Sequence, residues 1–132
     1  MSRTPYEGLQ DDIRELKIEP EIEAWKNEYT DRDYTIELTI PEFTSICPKT
    51  GLPDFGTILI RYIPDELCVE LKSLKLYIHA YRNVGIFYEH VVNKILDDVV
   101  RACLPRSAEV IAEFNVRGGM RAQVSASYRG SE

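Results

Sequence analysis

The period of the hydrophobic pattern changes twice along this chain, and those two changes leave few folds open. Residues 33–40 alternate, with Tyr34, Ile36, Leu38 and Ile40 separated by Thr35, Glu37 and Thr39, which predicts a strand with one buried face. A second strand is expected over residues 56–63, ended by Pro64. Leu71, Leu74, Ile78 and Tyr81 then fall at i, i+3, i+7 and i+10, the spacing of one helix face, and Asn83 and Gly85 break it. A second helix is expected over residues 86–103, its stripe built from Phe87, Val91, Ile95 and Val99 and its end set by Pro105. Alternation returns over residues 108–116 and 121–128, joined by "RGGM", whose Gly118-Gly119 pair signals a hairpin. Two strands, two helices and two strands predict an α+β layer, an antiparallel sheet in ββααββ order with both helices on one face. So short a sheet has two unpaired edges, for which oligomerisation is the usual remedy.

With 132 residues the chain makes one domain that buries roughly two thirds of its unfolded surface, which excludes a multidomain reading. Residues 1–32, with 9 acids against 5 bases, read as an acidic N-terminal arm, extended or partly helical, with a short helix-compatible stretch around residues 16–25 interrupted by Pro20. Residues 33–132 read as the folded domain. No apolar run approaches the ~20 residues needed to span a bilayer, and no signal peptide is visible. A cytoplasmic protein without a membrane partner is expected.

The net charge of −6 argues against direct binding to nucleic acid. Its distribution is uneven: residues 1–70 carry 7 bases and 16 acids, whereas residues 71–131 carry 9 bases and 5 acids. An anionic ligand would be drawn to the second half. Cys47, Cys68 and Cys103 are an odd set with wide spacing, which fits neither a disulfide framework nor a metal knuckle and points to a reducing compartment. His79 and His90 are the only histidines, and no ligand spacing supports a metal site.

Three groups of residues have chemical potential. Cys47 precedes Pro48 and Lys49 in the loop "FTSICPKTGLPDFG", and Asp54 follows seven residues later; a turn over "PKTGLP" would bring a thiol and a carboxylate together as nucleophile and proton carrier. A structural cysteine beside a turn-capping aspartate fits the same local sequence. Lys72, Lys75, His79 and Arg82 fall within about 80° of arc on the first helix, a cationic ridge free of acids that suits phosphates as well as it suits solvent. Glu89, placed on the second helix between Leu96 and Val100, is expected at the margin of the buried stripe. A carboxylate there needs a partner, either within the chain or a purine-like ring offering a ring N–H and an exocyclic amine. His90 is expected on the polar side. No glycine-rich nucleotide loop is present, since "RGGM" is a hairpin.

Taken together, "SICPKTGLPDFG", "ELKSLKLY" and "YRNVGIFYEHVVNKI" resemble the NADPH-dependent 7-cyano-7-deazaguanine reductases, the nitrile reductases of queuosine biosynthesis, in their short single-domain form. The resemblance covers residues 33–129. It implies a tunnelling fold, sheets joined edge to edge into barrels, a homodecamer of two pentameric rings, and active sites between subunits. It implies that Cys47 adds to the nitrile carbon as a thioimide, that Asp54 transfers protons, and that Glu89, with Tyr88, binds the 7-deazapurine. It also implies that the segment carrying Glu70, Lys72, Ser73 and Lys75 binds NADPH, with Lys72 and Lys75 as candidate phosphate contacts. Two NADPH are spent per turnover and no metal is needed. Many members of that family have His before the glutamate, where this chain has Tyr88, with His90 after it. Two other readings share part of this inventory: a tunnelling-fold relative that forms the same thioimide but accepts ammonia without NADPH, and a non-catalytic oligomer that binds a purine or pterin.

Overall fold

The computed structural model describes residue 10 and residues 12–130. Its main sheet has four antiparallel strands, β2 (Ile36–Ile46), β3 (Pro53–Ile63), β5 (Ser107–Arg117) and β6 (Met120–Arg129), in the order β2-β3-β5-β6. Between β3 and β5 run α1 (Leu71–Ala80) and α2 (Tyr88–Cys103). The expected ββααββ order is therefore present. A second, two-stranded sheet pairs β1 (Ala24–Lys26) with β4 (Leu67–Val69), an element the sequence pattern did not announce.

Alternation along the strands buries one face. Ile58, Ile60 and Tyr62 of β3 and Ala108, Val110, Ala112 and Phe114 of β5 are buried, and on them pack Val91, Val92, Ile95 and Val99 of α2 and Leu74, Tyr77 and Ile78 of α1. Each fully buried aliphatic side chain here contributes about 1.5–3 kcal/mol relative to exposure. Both β2 and β6 have a free edge within the chain.

The arm, expected as extended or partly helical, has a single 3-10 turn at Ile13–Glu15 that gives way to extended chain ending in β1. Pro20 interrupts helical hydrogen bonding there, and the open edge of β4 offers backbone partners instead. The arm is also fastened down, with Ile18 in the core and the buried Asn27 side chain donating to the Asp65 carbonyl. The loop expected between the first two strands is shorter than its sequence suggested. The strands extend to Ile46 and resume at Pro53, so residues 47–52 alone make the turn.

One close approach fixes the upper end of the sheet. A Cβ on Gly56 would lie 2.7 Å from the Glu113 carbonyl oxygen and 3.1 Å from the Phe114 ring. Gly56→Ala is expected to destabilise the fold by about 2 kcal/mol, seen as a lower urea midpoint. An unchanged midpoint would mean that the two strands separate there without cost.

Candidate active site

The site assembles at the end of the sheet where β2 gives way to β3. Ile46 anchors it: its N–H donates to the Val84 carbonyl at 3.0 Å and its carbonyl accepts from Ile86 N–H at 2.9 Å. That bridge ties the segment before α2 to the end of β2, and so sets the first turn of α2 beside the Cys47 turn. Gly85 lies against the same turn, its Cβ position 3.9 Å from Pro48 Cα.

The turn at residues 47–52 is closed by its own backbone. Cys47 N–H donates to the Leu52 carbonyl and Gly51 N–H to the Cys47 carbonyl, both at 2.9 Å, with Gly51 at φ 72°, the left-handed region that a side chain disfavours. Cys47 is half-buried, in contrast to the buried Cys68 and Cys103. Burial raises its pKa, but the Thr50 hydroxyl and the Thr50 and Lys49 N–H groups outweigh that effect and hold the thiol below its ordinary value. Cys103, by contrast, is pushed up to about 12 by burial. Of these two thiols, Cys47 is the one prepared to ionise.

Asp54, 4% exposed, sits on the helix-facing side of β3, directly across from Ser45 of β2. Its Oδ1 accepts from the Tyr88 hydroxyl at 3.2 Å and from Arg117 of the β5–β6 hairpin. Tyr88 lies flat on Phe114, ring centroids 3.7 Å apart and planes 8° from parallel, so the stack fixes the direction of its hydroxyl. Burial, followed by the Asp54 charge, raises the Tyr88 pKa, so this phenol is a hydrogen-bond donor at neutral pH.

Glu89 departs from its expected surroundings. It is exposed, and among the described residues its carboxylate has no hydrogen-bond or ion-pair partner. A helical wheel superimposes all turns, whereas Leu96 and Val100 are covered by elements packed along later turns. Glu89, in the first turn, projects beyond them. Its carboxylate is left open at the same end of the molecule as Cys47. His90 is not on a wholly solvated side: it is half-buried, its Nδ1 2.9 Å from Gln10 Oε1, which also accepts from Phe87 N–H at 3.2 Å. Gln10 thus caps a helix whose own N-cap residue, Phe87, has no side-chain cap.

Of the cationic ridge, Lys72, Lys75, His79 and Arg82 are all exposed, although Arg82 lies in the 3-10 turn Tyr81–Asn83 after α1 ends. Lys75, His79 and Arg82 line a cavity of about 400 Å³ between α1 and β2, opposite Glu37 and Glu42. Glu70 is the N-cap of α1, its carboxylate accepting from Lys72 N–H at 2.9 Å and Ser73 N–H at 2.7 Å. These bonds hold its pKa below the usual carboxylate range. Ser73 Oγ donates to the Glu70 carbonyl and accepts from Glu23 N–H, both at 2.8 Å. The polar atoms of Glu70 and Ser73 are thus engaged in fixing the start of α1, while among the described residues neither lysine makes a side-chain ion pair within 4.0 Å. Among the described residues no group of three or more His, Cys, Asp or Glu side chains is arranged to hold a metal.

Comparison with known proteins shows the family. A family model described as QueF-like protein matches residues 53–132. The NADPH-dependent 7-cyano-7-deazaguanine reductase of Chloroherpeton thalassium is 60% identical over 112 residues, covering 84% of this chain and 97% of the relative. The protein of the same name from Elusimicrobium minutum is 61% identical over 109 residues, covering 83% and 82%. This chain belongs to the 7-cyano-7-deazaguanine reductase family. A solved structure, the archaeosine synthase QueF-Like in the apo form, superposes with a TM-score of 0.68 at 22% identity, covering 74% of this chain and 96% of that one. That likeness concerns the fold, and with the ββααββ order it makes this a tunnelling fold.

Sequence reasoning for this reductase-family chain overlooked two residues in the site. The sequence shows Arg117 only as part of a hairpin and Thr50 only as part of a turn, yet Arg117 bonds Asp54 and its Nη2 donates to Thr50 Oγ1 at 3.3 Å. The one available signal was the position of Arg117 beside Gly118-Gly119, where a tight hairpin holds a side chain at the sheet's end.

Proposed function

We propose that residues 33–132 carry a cytoplasmic, NADPH-dependent reduction of the nitrile of 7-cyano-7-deazaguanine to the aminomethyl group, through a thioimide on Cys47. The observation that supports this most strongly is the convergence, at one end of the sheet, of a thiol held below its ordinary pKa, a buried carboxylate and an open carboxylate on the first turn of α2. The Cys47 sulfur adds to the nitrile carbon, and the nitrile nitrogen takes a proton, giving a C=N acceptor bonded to sulfur. Asp54, held by Tyr88 and Arg117, carries that proton. NADPH supplies hydride to the same carbon twice, so that four electrons and four protons in total convert the nitrile to the amine and release the Cys47 sulfur. Glu89 accepts from the N–H groups on the pyrimidine edge of the base, and Tyr88 closes the pocket beside it.

The chemistry of the first helix suits the second substrate. Lys72 and Lys75 are cations on the exposed face of α1, and Glu70 and Ser73 hold the backbone that presents them. We assign the two lysines to the phosphates of NADPH, with Glu70 and Ser73 completing that segment. Lys72→Ala and Lys75→Ala should each raise the Michaelis constant for NADPH about tenfold with little change in that for the nitrile. If both constants are unmoved, the ridge is a solvated face.

The same surfaces suit the assembly that the family resemblance implies. Leu52, Phe55, Val116 and Met120 are exposed around the Cys47 end, and β2 and β6 have free edges. Pairing those edges between copies, in a homodecamer of two pentameric rings, would cover the apolar cluster and enclose Glu89 and Cys47. Nitrile-dependent loss of NADPH absorbance tests the reaction itself. Its absence in the presence of intact, folded protein would remove the reductase reading.

A further inference from the structure

Thr50 Oγ1 has an unusual set of partners. It accepts from Leu52 N–H at 3.2 Å and from Arg117 Nη2 at 3.3 Å, which occupies both lone pairs of the oxygen. The single hydroxyl hydrogen is then directed away from those two donors and left for a third partner, and Cys47 belongs to the same turn, closed by the Cys47–Leu52 and Gly51–Cys47 backbone bonds. Arg117 meanwhile reaches Asp54 with its other terminal nitrogen. One guanidinium therefore spans the carboxylate on β3 and the hydroxyl in the turn, which its rigid planar fork permits and an ammonium would not.

We propose that Thr50 and Arg117 are a coupled pair of positioning residues: Arg117 orients the Thr50 hydroxyl so that it donates to the Cys47 sulfur, and in the same act fixes Asp54 beside it. Thr50 tunes the sulfur by donating to it, and Arg117, which touches neither the sulfur nor the nitrile, places both the hydroxyl and the carboxylate. The low pKa direction of Cys47, in which the Thr50 hydroxyl is the largest lowering influence, accords with this. Arg117 also lies in the hairpin and not in the turn, so the β5–β6 connection adds a second tie to a thiol and carboxylate that β2–β3 pairing sets in register. This inference rests on Cys47 being the nucleophile, but its test does not require that the nitrile be the substrate.

The test is the pH dependence of Cys47 alkylation by iodoacetamide, followed by peptide mass on the full-length folded protein without nitrile or NADPH. Thr50→Val should move the midpoint up by about one pH unit, because a hydrogen bond to the charged form is lost. Thr50→Ser keeps the hydroxyl and should leave the midpoint near that of the parent. Arg117→Lys keeps the charge but not the fork and should move the midpoint up by part of that amount. Combined with Thr50→Val it should add nothing further, since both changes act through one hydroxyl. A Thr50→Val midpoint equal to the parent's, or additive shifts in the double variant, would overturn the proposal. Failure of nitrile reduction with these shifts intact would instead overturn the substrate assignment.

Discussion

Cys47→Ala protein is expected to fold as the parent does and to lose nitrile-dependent NADPH oxidation by about 10³-fold or more. A nitrile carbon is a poor hydride acceptor until the sulfur adds to it, so removing the thiol removes the acceptor and not only a contact. The fold should survive because Cys47 is half-buried in a turn whose closure uses backbone groups, which alanine retains. Cys68 and Cys103 offer no substitute: both are buried, and Cys103 holds its proton up to a pKa of about 12. Retained activity in the alanine variant would mean that hydride reaches the nitrile directly.

Glu89→Ala should weaken nitrile binding about 10²-fold and leave NADPH binding nearly unchanged. The carboxylate has no partner among the described residues, so its loss breaks nothing inside the chain. The expected effect is therefore all in the ligand. A charged acceptor facing two N–H groups of a base forms charge-assisted hydrogen bonds, and their removal leaves those donors unpaired in the bound state. Thermal stability should stay within the ordinary range of a surface substitution, about 0.5 kcal/mol. Equal losses for nitrile and NADPH would contradict this role, and so would a large fall in stability.

Much of this was legible in the residues because the relevant physics is local. Alternation at Tyr34, Ile36, Leu38 and Ile40 and at Val110, Ala112 and Phe114 is a property of each strand alone, and so is the helical period of Val91, Ile95 and Val99. Cys47 and Asp54 are joined by a turn of a few residues, which sequence spacing can suggest. What lay beyond reach depends on distant chain segments. The β1–β4 pair forms because Ala24–Lys26 meets Leu67–Val69, and neither run is long enough to signal a strand. Arg117 enters the site because β5 pairs with β3, 63 residues away from Asp54 in sequence. Glu89 was placed on the correct helix but given the wrong surroundings, since a wheel carries no information about where neighbouring elements end. His90 was read as solvated for the same reason: its partner, Gln10, comes from the arm.

Tyr88, at the position where the resemblance leads one to expect histidine, also takes a physical meaning from the structure. Tyr88 stacks on Phe114 and donates to Asp54, so the position holds and orients the carboxylate. A phenol whose pKa is raised does not exchange protons near neutrality, which is why the proposed mechanism gives the proton to Asp54 and not to Tyr88.

The most direct measurement is the intact mass of the protein incubated with 7-cyano-7-deazaguanine in the absence of NADPH. The account predicts an increase equal to one whole nitrile molecule, carried on the Cys47 peptide, which disappears when NADPH is added, with two NADPH oxidised for each nitrile consumed. An unchanged mass would contradict the thioimide. An adduct that persists after NADPH addition, with no oxidation, would contradict reduction and leave a thioimide-forming protein that passes its substrate to another nucleophile.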